Sequence, residues 1–273
     1  MKPMTLSTSR FSEVVVLKTR FHQVNCCELI DYVASMAKQS KKTIIGNVNI
    51  RAMNFAYCLD WYRNFINQAD LVFCDGFGVL LAGKLNGYEL RSEHRMTCPD
   101  YIENLAKTCE REKVSLFLLA GKPGVVEKAI QQLKSIAPNL RVDGHHGYFS
   151  KTGEENEEII RKINEFRPGI LYVGFGMPLQ ERWILDNIDQ LDSRVFLPLG
   201  ACLDFYTGSV PRGPKWMTDA GLEWLSRLIT EPGRLWSRYL VGNFVFFLRV
   251  LQEKLLGSPQ LATLLKFPET RNH

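Results

Sequence analysis

The sequence predicts an α/β protein with a mainly parallel sheet and a C-terminal helical appendage. Three observations predict it. Short apolar runs without polar alternation recur at 43–47, 70–74, 114–119, 170–173 and 194–197, as expected of strands buried on both faces. Amphipathic helical segments separate them, and strand–helix alternation implies parallel strands joined by right-handed crossovers, a Rossmann-like layered α/β/α arrangement. Beyond about residue 199 no strand signal remains, and the chain turns rich in Trp and Arg. The expected division is a core over 1–211 and an appendage over 212–273.

The elements follow in order. Residues 14–18 read as a strand. Asn25 can cap a helix over 26–38, with Leu29, Ile30, Val33 and Met36 on one face. Strand 43–47 leads to Asn49, which can cap a helix over 50–67. Strand 70–74 is followed by a helix over 76–85, with Gly87 at its exit. Pro99 and Asp100 open a helix reaching about residue 111. Strand 114–119, a tight turn at 121–124 and a helix to about 136 come next. Residues 140–143 are strand-like, 144–153 a loop and 154–166 a charged surface helix. Strand 170–173 passes through Gly174-Phe-Gly-Met-Pro into a helix near Leu179, and 194–197 is the last strand.

Composition narrows the classes. The 273 residues are 45% hydrophobic and 23% charged, enough for one large α/β domain or a domain with an addition. A net charge of +5 is too weak to argue for a nucleic-acid partner. Residues 1–10 lack a signal-peptide core, and no stretch reaches the ~18 apolar residues of a membrane span. Seven cysteines are scattered without C-x-x-C spacing and read as mostly buried thiols of a reducing cytoplasm. Adjacent histidines point different ways, so His145-His146 is a poor metal pair, and no metal site is expected.

Several polar residues fall at the carboxyl ends of the expected strands, where open α/β sheets bind ligands. They are Asn47, Asn49, Asp75, Gln180 and Asp204. Asp75 stands on a turn that Gly76 and Gly78 soften; it reads as a general base, a sugar ligand or a plain helix cap. Gly174 and Gly176 would let backbone N–H groups approach a phosphate at a helix start. Leu179 occupies the third glycine position of G-x-G-x-x-G, which weakens a dinucleotide reading. Glu181 reads as a first-turn acid facing the helix dipole. In 212–254 seven Lys/Arg stand against four acids, flanked by aromatic residues. Such a segment suits a diphosphate and a membrane headgroup boundary, or else a solvated helical hairpin.

Taken together, 69–78 (Ala-Asp-Leu-Val-Phe-Cys-Asp-Gly-Phe-Gly), 174–181 (Gly-Phe-Gly-Met-Pro-Leu-Gln-Glu), 200–208 and 221–239 resemble the WecG/TagA/CpsF glycosyltransferase family. The resemblance runs from about 13 to 250. It implies an inverting, metal-independent transferase without a cofactor, using a UDP-sugar donor. The acceptor would be a polyprenyl-diphosphate-linked glycan at the cytoplasmic membrane surface. The protein would then be cytoplasmic and peripheral on the inner face, acting in cell-surface polysaccharide synthesis, with a homo-oligomer allowed. Carried over residue by residue, the catalytic Asp falls on Asp75 and the strand-end Thr-x-Asn pair on Asn47 and Asn49, with Asn in place of Thr at 47. Nucleotide contacts fall on Gln180 and Asp204. Arg95 and Asp100 come from a degraded motif, 93–100. The usual Arg-Ala-Pro is Arg212-Gly-Pro214, and the appendage arginines are Arg227 and Arg234, with Arg238 near the third position. On this reading Asp75 takes the acceptor proton, and Arg227, Arg234 and Arg238 stabilise the departing diphosphate once the appendage covers the crevice. The rival readings are a Rossmann-type oxidoreductase and a non-catalytic, membrane-associated UDP-sugar-binding protein. The donor sugar would be N-acetylmannosamine, its uronic acid, or glucose.

Overall fold

The computed structural model describes residues 11–256. Six parallel strands form one sheet in the order β4-β3-β8-β7-β5-β6. They are β3 (Thr43–Val48), β4 (Leu71–Cys74), β5 (Leu116–Ala120), β6 (Val142–His145), β7 (Ile170–Gly174) and β8 (Val195–Pro198). The apolar runs are buried on both faces, and their alternate residues feed two cores. On one side, Phe73, Leu116, Leu118, Ile170, Tyr172 and Leu197 meet α1 (Cys26–Met36), α5 (Cys98–Arg111), α6 (Val125–Ile136) and the short α9 (Cys202–Tyr206). On the other, Val72, Phe117, Leu119, Leu171, Val173 and Phe196 meet α2 (Ile50–Cys58), α3 (Asp60–Gln68), α4 (Phe77–Leu85), α7 (Glu154–Phe166) and α8 (Leu179–Asn187).

The layered α/β/α expectation therefore holds, with four differences in detail. First, the expected 50–67 helix is two. Leu59 leaves the helical region (φ −119°, ψ 107°), and Asp60 opens the second helix as a first-turn acid. Second, β1 (Glu13–Val16) is followed by β2 (Thr19–His22) in an antiparallel hairpin. Its turn residues Leu17 and Lys18 both have positive φ, of 50° and 61°, without the Asn-Gly signature of such a turn. The hairpin covers the β4 edge, where the Val72 N–H donates to His22 Nδ1 at 3.0 Å and Arg20 Nη2 donates to the Ala69 carbonyl at 2.9 Å. Third, Cys98 and Cys202, 104 residues apart, are joined by a disulfide instead of standing as buried thiols. Both lie at helix starts that the parallel topology brings side by side. Fourth, the His145 and His146 rings lie 4.1 Å apart, because β6 ends at His145 and the turn brings the two side chains together.

The appendage is helical, as expected: α10 (Lys215–Asp219), α11 (Glu223–Thr230), α12 (Pro232–Trp236), a π turn (Ser237–Val241) and α13 (Gly242–Leu256). Phe246 and Val250 of α13 enter the second core. Asn54 donates to the Gly242 carbonyl at 2.9 Å, and Arg249 donates to Asn54 Oδ1 at 2.9 Å. The appendage thus packs on the α2 side and reaches across the carboxyl ends of β3 and β4. No helix among the described residues is long and apolar enough to cross a membrane.

Candidate active site

Asp75 follows β4 directly, and its N–H donates to the Val48 carbonyl at 2.9 Å. Asn49 ends β3 and caps α2, with Oδ1 accepting from the Ala52 N–H at 3.1 Å. Because the cap occupies the oxygen, Nδ2 is left to donate, and it donates to Asp75 Oδ2 at 3.1 Å. Gly76 and Gly78 serve this approach rather than a turn, since neither has positive φ. A Cβ on Gly76 would meet Asn49 Cβ at 2.9 Å, and one on Gly78 would meet Ile50 Cδ1 at 2.4 Å. The glycines let the start of α4 lie against the start of α2.

A pocket opens beside Asp75. Asn49, Arg51, Arg95 and Thr97 line it from the core; Glu223, Trp224, Arg227, Arg238, Tyr239 and Asn243 line it from the appendage. Arg95 is brought there by pairing next to Cys74, and its Nη2 donates to the Thr218 carbonyl at 3.2 Å. Glu223 accepts from Arg227 through one oxygen and from Arg212 Nη2 at 3.5 Å through the other. Arg212 also donates to Asp100 Oδ1 at 2.7 Å and Thr97 Oγ1 at 2.9 Å, and the Arg227 guanidinium lies 4.1 Å over the Phe205 ring. The appendage residues thus stand over Asp75.

Burial raises the Asp75 pKa above its ordinary value. The Asn49 hydrogen bond opposes this, Glu223 adds to it, and Arg227 and Arg95 oppose it. Burial also disfavours the Arg227 cation, but the Glu223 carboxylate, helped by Tyr239 and Asp75, outweighs it and holds its pKa above the usual value. A carboxylate with enhanced basicity therefore faces fixed positive charge, an arrangement suited to accepting a proton while stabilising a departing anion.

The other expected residues fall elsewhere. Asn47 is buried, and its Nδ2 donates to the Pro198 carbonyl, tying β3 to the end of β8. Asp100 belongs to the Arg212 latch. Gly174, Gly176, Gln180 and Asp204 gather at the ends of β7 and β8. A Cβ on Gly174 would lie 2.5 Å from the Gly200 carbonyl oxygen, so these two strand ends touch. Gln180 has no exposed surface. Asp204 is half-buried; burial raises its pKa and Lys122 opposes this. Arg234 lies in α12, and its side chain falls outside the described residues. Sequence reasoning assigned no site role to Glu223, Thr97 or Arg51, though Thr97 stands in the polar cluster with Arg95 and Asp100 and Glu223 among the acids of the appendage. The i, i+4 spacing of Glu223 and Arg227 is a signal that finds the first.

The model of the Glycosyl transferase WecG/TagA/CpsF family matches residues 14–260. The chain belongs to this glycosyltransferase family. It is also similar to proteins of Staphylococcus aureus strains NCTC 8325 / PS 47, COL and N315, each named N-acetylglucosaminyldiphosphoundecaprenol N-acetyl-beta-D-mannosaminyltransferase. Each is 26% identical over 249 residues, covering 90% of this chain and 96% of the relative. The family match spans both the sheet and α11–α13. As a glycosyltransferase, the enzyme is neither a Rossmann-type oxidoreductase nor a non-catalytic UDP-sugar-binding protein.

Proposed function

We propose that the enzyme transfers an N-acetylmannosamine-type sugar, its uronic acid or glucose from a UDP-sugar to a polyprenyl-diphosphate-linked glycan in cell-surface polysaccharide synthesis. The observation that carries the reading is the Asp75 carboxylate, held by Asn49 and facing Arg95 and Arg227. Similarity to the staphylococcal relatives supports the mannosaminyl donor and the lipid-diphosphate acceptor. Residues 1–211 act as the transferase core and 212–273 as the appendage.

In the proposed reaction Asp75 takes the proton of the acceptor hydroxyl as its oxygen attacks the anomeric carbon. The bond from that carbon to the diphosphate oxygen breaks, and UDP leaves with the electron pair. One displacement inverts the configuration. Arg227 and Arg238 stabilise the departing diphosphate, and Arg95 holds the wall of the pocket. The appendage also meets the membrane. Trp236, Leu240, Phe244, Leu251 and Leu255 stand exposed at helical spacing along α12, the π turn and α13, while Tyr239, Phe246 and Val250 face inward.

A panel of UDP-sugars offered with a short lipid-diphosphate-linked sugar, read by product mass, tests the reading. Transfer from one UDP-sugar is expected; no transfer from any would overturn it. Asp75→Asn should lower kcat by about a thousandfold while UDP binds as before. A fully active variant would remove Asp75 from the mechanism.

A further inference from the structure

Gln180 and Glu181 open α8, directly below the glycine loops that end β7 and β8. Both are buried, with 0% and 1% of their surface exposed. Gln180 Oε1 accepts from the Gly176 N–H at 3.1 Å and from the Gly200 N–H at 2.9 Å. Its Nε2 donates to Glu181 Oε1 at 2.8 Å. A primary amide has an acceptor end and a donor end, whereas an ionised carboxylate only accepts. The two backbone N–H groups and, above the pH of about 7 at which it ionises, the Glu181 carboxylate together dictate which way the amide faces. The reversed amide would set an NH2 group against two backbone N–H groups and leave Glu181 facing an oxygen.

The two glycines being tied are the points where β7 and β8 turn outward. Gly176 has φ of 86° and Gly200 φ of 57°, backbone that side chains rarely adopt. The Gly200 carbonyl also accepts from the Tyr172 hydroxyl at 3.2 Å. One side-chain oxygen thus sets the separation of two loops from different strands.

We infer that Glu181 is a positioning residue: by orienting the Gln180 amide, whose oxygen takes the Gly176 and Gly200 N–H groups, it fixes these two loops in the spacing that receives the nucleoside end of the donor. This rests on the reading that those loops hold the donor. The groups facing Glu181 are Gln180 on α8, the buried Tyr62 hydroxyl on α3 and Arg51 on α2. Arg51 also reaches the same loop, its Nη2 donating to the Met177 carbonyl at 3.4 Å.

Exchanging the two side chains tests the inference. At pH 9, where Glu181 has lost its proton, Q180E places a second carboxylate against it and should weaken UDP binding about tenfold or more by calorimetry. In Q180E/E181Q the amide now at position 181 donates to the carboxylate now at position 180, whose other oxygen still accepts from both glycines. UDP affinity should return to within about threefold of the wild type. Slow hydrogen exchange at the Gly176 and Gly200 amides should be lost in Q180E and regained in the double exchange. If the double exchange binds UDP as weakly as Q180E, the donor needs the Gln180 amide itself and the inference fails. It also fails if Q180E matches the wild type. Should Q180E not fold, the double exchange decides alone: wild-type UDP affinity supports the inference, and weak binding or failure to fold overturns it. A wild type that binds no UDP would remove the donor reading, while amide exchange would still test the positioning.

Discussion

A carboxylate that is to accept a proton must first be ionised, and for Asp75 its neighbours set the pH at which that happens. Burial and Glu223 push its pKa up; Asn49, Arg227 and Arg95 pull it down. The acid limb of the kcat/KM profile should therefore lie above the ordinary Asp range. Glu223→Gln removes one upward influence and should move that limb to lower pH, which a pH–rate series would read directly. Asn49 has two duties that one substitution separates. Serine can still cap α2 but offers no amide to Asp75, so Asn49→Ser should cost less than about 1 kcal/mol of stability. The same variant should lower kcat by about tenfold. Equal loss in both would deny the second duty. Glu181 provides a different check. Burial pushes its pKa from 4.5 up to about 7, so the folded chain holds a proton that the unfolded chain releases. Glu181 should contribute a fall in stability as pH rises between those values, and Glu181→Gln should remove that part of the slope. A melting series from pH 4.5 to 8 on both proteins would show it. Asp75, Asn49 and Gln180 were legible in the sequence because each sits beside a strand end. The direction each amide faces was not, because it depends on acceptors such as Glu181 and on backbone groups of other loops.

Among the elements, the six parallel strands were legible because burial on both faces demands continuous apolar runs, as in Leu71-Val-Phe-Cys74. The β1–β2 turn was not, since Leu17 and Lys18 carry none of the usual residues for positive φ. The break at Leu59 was also hidden, because α2 and α3 each continue an apolar face. Gly78 shows how a residue can be noticed for the wrong reason. It is required by close approach to Ile50, not by its own backbone angle. Gly78→Ala should cost about 1–3 kcal/mol in denaturant unfolding, and adding Ile50→Val, which removes the clashing Cδ1, should recover part of it. Full stability in Gly78→Ala would mean that α2 and α4 separate easily.

Across the whole molecule, the pocket joins groups distant in sequence. Asp100 and Thr97 grip Arg212, Glu223 links Arg212 to Arg227, and α13 is anchored on Asn54. The charge excess of 212–254 pointed to the appendage. Its docking on the α2–α4 side was not legible, because no local pattern encodes which helix α13 meets. The same holds for the link between Cys98 and Cys202. Removing residues from 212 onward should abolish transfer and membrane association, as activity and vesicle sedimentation would show. A truncated chain that still transfers sugar would exclude the appendage from the site.

The order in which the pocket is assembled has a consequence for the growing chain. Asp75 leaves the ribosome long before Arg227, Arg238 and Asn243, the last roughly ten to thirty seconds after it at ordinary rates of synthesis. The sheet can close only late in that interval, once β8, which joins β3 to β7, has emerged, and until α11 follows the carboxylate faces Arg95 without Arg227 or Arg238. On the proposed mechanism, a polypeptide released between β8 and α11 carries Asp75 without the appendage arginines that would stabilise the departing diphosphate.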